Sequence, residues 1–125
     1  GVIAFKKAIN FLSKIGLENI KSHEEDLLDY ATKKILNIEG VKIYGSSKNK
    51  TGIISFNIKG IHHYDIGLIL DKLGIAIRTG HHCTQPVMKR FNIPGTARIS
   101  FAIYNTKKEI DFCINAIKKA KEMLS

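Results

Sequence analysis

Ala97-Arg98-Ile99-Ser100-Phe101-Ala102-Ile103 decides the fold class of this chain. Apolar side chains at 97, 99, 101 and 103 alternate with Arg98, Ser100 and Ala102, the two-residue period of a half-buried strand. On its C-terminal side, Thr106 with Glu109 forms a capping box. That box opens a final helix with Ile110, Cys113, Ile114, Ile117 and Leu124 on its inner face. On its N-terminal side, Asn92-Ile93-Pro94-Gly95 breaks a short helix that Pro86 starts and Phe91 ends. Ile75 to Arg78 reads as a strand, and Asp65 to Leu73 as a short helix stopped by Gly74. Asp65 is placed to cap that helix or to favour its positive end. Gly52 to Ile58 reads as a buried strand, Gly45 to Lys50 as a polar turn, and Val41 to Tyr44 as a short strand. Ser22 with Glu25 is a second capping box, opening a helix that buries Leu28, Ala31, Ile35 and Ile38 and ends at Gly40. Val2 to Ile15 is an amphipathic helix with Phe5, Ala8, Ile9, Leu12 and Ile15 on one stripe and Gly16 as its stop. The pattern predicts an α+β fold: a small, mostly antiparallel sheet of about four strands with helices packed on it. Residues 1–125 read as a single domain, with no repeat and no linker.

The bulk composition excludes several classes. At 125 residues and 44% apolar, the chain can build a core without disulfides or a structural metal. Its formal charge is +9, from 17 Lys against 3 Arg. The lysines are scattered over helix faces, as in Lys33-Lys34, Lys107-Lys108 and Lys118-Lys119, and no strand interleaves aromatic and basic residues. That distribution favours a solvated basic surface over a nucleic-acid footprint. Two cysteines without a C-x-x-C spacing fit a reducing compartment. No signal peptide is evident, and no apolar run approaches membrane-spanning length. The chain lacks an initiator methionine and begins inside a helix, so it reads as a piece of something longer.

The chemistry concentrates in Arg78-Thr79-Gly80-His81-His82-Cys83-Thr84-Gln85-Pro86. A thiol beside two imidazoles and five residues after an arginine can be held partly as thiolate, the reactive form. The competing reading is an incidental loop thiol, although Gly, His, Thr and Gln are not core composition. Cys113, on an apolar helix face, reads as core. Zinc would need four convergent ligands, which adjacent His81-His82-Cys83 do not provide, even with His62-His63. Arg98 falls on the polar side of its strand. It is either solvent-facing or a planar two-pronged grip for a carboxylate. Arg78 carries the same choice, with a structural ion pair as the simpler reading.

Arg78-Thr-Gly-His-His-Cys83-Thr-Gln-Pro-Val-Met88, followed by Ala97-Arg98-Ile-Ser-Phe-Ala-Ile-Tyr-Asn-Thr106, resembles the C-terminal region of Suf-type (group II) cysteine desulfurases. These are pyridoxal-phosphate enzymes of the class V aminotransferase type, and the resemblance covers essentially the whole chain. It implies that Cys83 attacks the sulfur of L-cysteine and becomes a persulfide, with alanine released. It implies that Arg98 holds the substrate carboxylate and that Arg78 and His82 support the cysteine. It further implies a cytoplasmic homodimeric parent that passes sulfur to an acceptor protein for iron–sulfur assembly. Selenocysteine lyase activity is the related alternative, and a non-enzymatic persulfide relay is the alternative from another class. In the family, the lysine that bonds pyridoxal phosphate stands next to a histidine in a larger domain, and no His-Lys pair occurs here. The chain therefore resembles the small domain alone, with no cofactor-binding residue, no bound cofactor and no activity expected by itself. In acceptors of the zinc-containing type, the family uses a histidine immediately before the residue matching Asp65. Tyr64 stands there, so the resemblance implies a zinc-free, SufE-like acceptor.

Overall fold

The computed structural model describes residues 1–47 and 49–125. Lys48, inside the expected polar turn 45–50, lies outside the described residues. The elements in order are α1 (Val2–Ile15), α2 (Leu17–Leu36), β1 (Val41–Tyr44), β2 (Ile53–Ile58), α3 (His63–Lys72), β3 (Arg78–Gly80), α4 (Gln85–Phe91), β4 (Thr96–Ser100) and α5 (Lys107–Leu124). The strands form one sheet in the order β1-β2-β4-β3, and every neighbouring pair is antiparallel. The expected α+β architecture is the one observed.

Strand parity sorts the sheet into two faces. Ile54, Phe56 and Ile58 of β2 are buried, whereas Ile53, Ser55 and Asn57 point the other way. Ala97 and Ile99 of β4 join the first set. Against that face pack Leu27, Leu28, Ala31 and Ile35 of α2, Ile66 and Leu70 of α3, and Ile110, Ile114 and Ile117 of α5. Each buried leucine, isoleucine or phenylalanine among them contributes roughly 1.5–3 kcal/mol relative to exposure. Because β4 is antiparallel to both neighbours, β2 and β3 run parallel on either side of it. Helix α3 makes the crossover between them.

Several boundaries differ from the sequence reading. Helix α2 begins at Leu17 and runs straight through Ser22, which caps nothing. Gly16, at φ 88°, both ends α1 and starts α2, and Glu18 in the first turn favours the positive helix end. Helix α3 is capped by His62, whose side chain accepts from the Tyr64 N–H at 3.3 Å, so Asp65 sits inside the first turn rather than at the cap. Strand β3 is displaced to Arg78–Gly80, because the Ile75 N–H bonds to the Leu70 carbonyl at 2.9 Å and ties that segment to the end of α3. Strand β4 stops at Ser100. Beyond it, Ala102 donates to the Asn105 side chain at 2.9 Å and the chain turns into α5. No side chain of α1 is buried, although its stripe has helical spacing. Phe5 is 67% exposed, and only Ile15, at the end that meets α2, is half-buried on that stripe.

The capping box of α5 forms as read. Thr106 Oγ1 accepts from the Glu109 N–H at 3.3 Å, and the Thr106 N–H donates to Glu109 Oε2 at 2.8 Å. The bond from the Thr106 backbone holds the Glu109 carboxyl below its ordinary 4.5. The carboxylate half of the box is therefore fully present above about pH 4.5 and lost as pH falls through the lower folded value, whereas the bond from the Glu109 N–H to Thr106 Oγ1 does not titrate. Thr106→Ala is expected to lower the unfolding free energy by about 1 kcal/mol, and Thr106→Ser to change it little, in urea titrations.

Candidate functional site

The face of the sheet opposite the core carries one row of side chains. Tyr44 of β1 pairs in register with Ser55 of β2, Ser55 with Arg98 of β4, and Arg98 with Arg78 of β3. Like charges directly opposite one another on neighbouring strands destabilise a sheet. Among the described residues no carboxylate forms a salt bridge with either arginine. The structural ion pair considered for Arg78 is thus not formed. Arg98 is only half-buried, yet its Nε is buried and has no hydrogen-bond partner. It lines a cavity of about 300 Å³ between the sheet and α4, walled by Tyr44, Ser55, His82, Thr96 and the apolar Met88 and Phe91. A guanidinium with an unmet buried donor beside a second guanidinium is a site prepared for an anion.

Strand β3 delivers the chain into the thiol segment. Gly80 has φ 117°, and His82 and Cys83 follow at φ 53° and 59°. Two consecutive non-glycine residues in the left-handed region cost roughly 1–2 kcal/mol each, so local bonds must hold them. His81 supplies three such bonds. Its Nδ1 accepts from the Cys83 N–H at 3.0 Å, and its carbonyl accepts from the Thr84 N–H at 2.9 Å and the Thr84 hydroxyl at 2.8 Å. His82 turns inward, with its Nε2 at 3.1 Å from the Thr96 carbonyl and 2.9 Å from the Thr96 hydroxyl. Burial pushes His82 below its ordinary 6.5, only partly offset by the Thr96 carbonyl, and the Arg98 and Arg78 charges add to the lowering.

Cys83 is left exposed at the tip. The two imidazoles that precede it in sequence are not hydrogen-bonded to its sulfur: His81 accepts from the Cys83 backbone N–H, and His82 contacts Thr96. The sulfur instead faces Arg78, whose Nη2 lies 3.9 Å away. The structure thus brings Arg78, Cys83, His82 and Arg98 to one face of one sheet. No cluster of three or more metal-ligating side chains forms among the described residues.

Three residues of this neighbourhood were given no site role from sequence. Thr96, 1% exposed, anchors His82. Gly95 permits a close approach, because a Cβ there would lie 2.7 Å from the Gly80 carbonyl and 2.6 Å from His63 Nε2. Asn57 donates to the Gly95 carbonyl at 2.9 Å and fixes the same corner. The parity of β4 could have placed Thr96 beside Arg98, since both have even numbers on the same strand. His63 is buried against His62, with ring centroids 4.2 Å apart. Desolvation, with the neighbouring imidazoles of His62 and His82, pushes it below 6.5.

Comparison with known proteins gives a consistent picture. The class-V aminotransferase family profile matches residues 1–112. A cysteine desulfurase of Wigglesworthia glossinidia brevipalpis is 46% identical over 124 residues, covering 99% of this chain and 30% of that protein. A probable cysteine desulfurase of Staphylococcus aureus strain Mu50 is 45% identical, covering 98% of this chain and 30% of that protein. Among solved structures, the apo cysteine desulfurase of Thermococcus onnurineus NA1 superposes with a TM-score of 0.87 at 36% identity, over 93% of this chain and 29% of that one. The Escherichia coli cysteine desulfurase CsdA superposes with a TM-score of 0.93 at 31% identity, over 100% of this chain and 31% of that one. The chain spans about 30% of the length of the curated relatives it matches.

The two thiols are expected to behave oppositely. Cys113 is buried on α5, and burial pushes its thiol up to about 11. Brief iodoacetamide treatment followed by peptide mapping should label Cys83 first and leave Cys113 nearly unmodified until the chain unfolds. Equal labelling in the folded chain would contradict the assignment of Cys83 as the exposed, accessible thiol.

Proposed function

We propose that this chain, which belongs to the class-V aminotransferase family, is the C-terminal small domain of a Suf-type (group II) cysteine desulfurase. In this reading, Cys83 accepts sulfur from L-cysteine and Arg98 grips the substrate carboxylate. The observation that carries it is the unpaired Arg78–Arg98 row beside an exposed thiol. The planar fork of Arg98, with its unmet Nε, suits a carboxylate, and a gripped amino acid is oriented for attack. Sulfur passes when Cys83 thiolate forms a sulfur–sulfur bond as the substrate's carbon–sulfur bond breaks; the bonding electron pair goes to the carbon, which takes up a proton to become the alanine methyl, leaving a persulfide on Cys83. Arg78 and His82 support Cys83 rather than react.

Pyridoxal phosphate, which supplies the electron sink for such cleavage when bound, does not fit the residues present. Among the described residues, the cavity beside Arg98 offers no lysine to bond it and no carboxylate for its ring nitrogen. We assign the cofactor to the remaining length of a homodimeric parent, and the chain alone to an inactive state. Two free cysteines suit the cytoplasmic setting assigned to it.

The accepting protein is assigned to the zinc-free, SufE-like type that serves iron–sulfur assembly. His63, the imidazole next to Tyr64, is buried and cannot reach an external metal, while Tyr64 is 55% exposed. Lys59, Lys89 and Arg90 are exposed and form a basic rim suited to speeding association with an acidic surface. If only a zinc-containing acceptor takes sulfur from the reconstituted parent, and His63→Ala abolishes that transfer, this assignment fails.

Arg98→Lys in the parent keeps the charge and loses the fork. It is expected to cost roughly 1.5–3 kcal/mol in kcat/KM for L-cysteine, the range of a charge-assisted hydrogen bond. Steady-state alanine production measures it. Unchanged kinetics would leave Arg98 a surface residue without a substrate role.

A further inference from the structure

The left-handed pair at His82 and Cys83 needs an external restraint, because the bonds made by His81 lie within the turn itself and do not fix it to the sheet. The remaining fixture is His82. A carbonyl only accepts, so the contact of Nε2 with the Thr96 carbonyl at 3.1 Å requires the proton on Nε2. The same N–H is shared with Thr96 Oγ1 at 2.9 Å. Nδ1 is buried and has no partner. A bare lone pair there is tolerable, whereas an N–H there would be an unmet buried donor. One tautomer is therefore selected, and its single donor is spent on two atoms of one residue. Thr96 itself is fixed, being buried on β4 beside Arg98 and paired in register with Gly80 of β3.

We propose that Thr96 is a positioning residue for Cys83: by capturing the Nε2–H of His82 with its carbonyl and hydroxyl, it pins the left-handed turn to β4 and holds the sulfur against Arg78. Threonine at 96 thus acts on the thiol without touching it. The pin also couples the two arms of the site, since residue 96 and the carboxylate-gripping residue 98 share one strand. The proposal rests on Cys83 being the working thiol.

The test uses the purified chain and two alkylating probes of different charge. Iodoacetate and iodoacetamide attack the same sulfur, so their rate ratio at Cys83 cancels reactivity and reports the neighbouring positive charge. The ratio is expected to fall roughly threefold on His82→Phe, which keeps ring volume and removes both bonds, the effect of moving one unit charge away in water. It is expected to fall by a smaller but measurable factor on Thr96→Val, which keeps the carbonyl half of the pin. Arg78→Ala should produce the same fall as His82→Phe, and the double variant of those two should fall no further, as for two changes acting on one interaction. Thr96→Ser should keep the ratio. Nitrogen-15 spectra of the imidazoles give an independent readout, with His82 protonated on Nε2 and bare on Nδ1. A ratio unchanged in either Thr96→Val or His82→Phe overturns the proposal, as does a His82 ring protonated on Nδ1. None of these readouts needs sulfur transfer. Failure of the parent to form a Cys83 persulfide would overturn the functional reading and leave the pin standing.

Discussion

The pleat of β4 is the constraint on which the molecule depends. This strand is hydrogen-bonded on both sides, to β2 and to β3, and its register is fixed by both. Odd positions Ala97 and Ile99 enter the core, and even positions Thr96 and Arg98 face the cavity. A slip of one residue would exchange the two sets, burying a guanidinium among isoleucines and exposing the core. The energy that fixes the core therefore fixes the chemistry with the same stroke. Hydrophobic burial behind the sheet is what holds two arginines opposite each other in front of it, an arrangement that local electrostatics would not choose.

Close backbone approach carries this precision into the thiol segment. A Cβ on Gly67 would meet the Thr79 methyl at 2.6 Å, so α3 lies directly on β3. Gly95 plays the same part between β4 and Gly80. Both glycines are chosen for absence of a side chain rather than for an unusual φ. They bring helix, strand and turn into contact at the place where Arg78 and Cys83 leave the sheet.

The sequence made the elements legible where one signal acted alone. Alternation in 97–103 located β4, and Thr106 with Glu109 located the start of α5. It misled where two signals competed. Ser22 with Glu25 has the spacing of a capping box, but no residue before Ser22 interrupts the helix that Gly16 starts. Ile75–Ile77 has strand composition, yet its backbone is claimed by the end of α3. At the candidate site, the residue types could be read from sequence and their partners could not. His81 and His82 directly precede Cys83 in the chain, and neither imidazole bonds its sulfur: one takes the Cys83 backbone N–H and the other contacts Thr96. Arg78, five residues earlier, takes that place. Thr96 remained hidden because its contact with His82 spans 14 residues and depends on strand register.

The turn at His82 and Cys83 has a consequence for how such a thiol can deliver anything. Left-handed dihedrals at two adjacent non-glycine residues occupy a narrow basin, with few neighbouring conformations to visit without breaking the bonds to His81 and Thr96. The sulfur is carried on a short fixed prong and not on a swinging tether. A prong cannot travel to its recipient. Under the proposed function, sulfur borne on such a prong would be collected by a partner whose own reactive group enters the space above Cys83, so the reach and the conformational change would fall on the visitor.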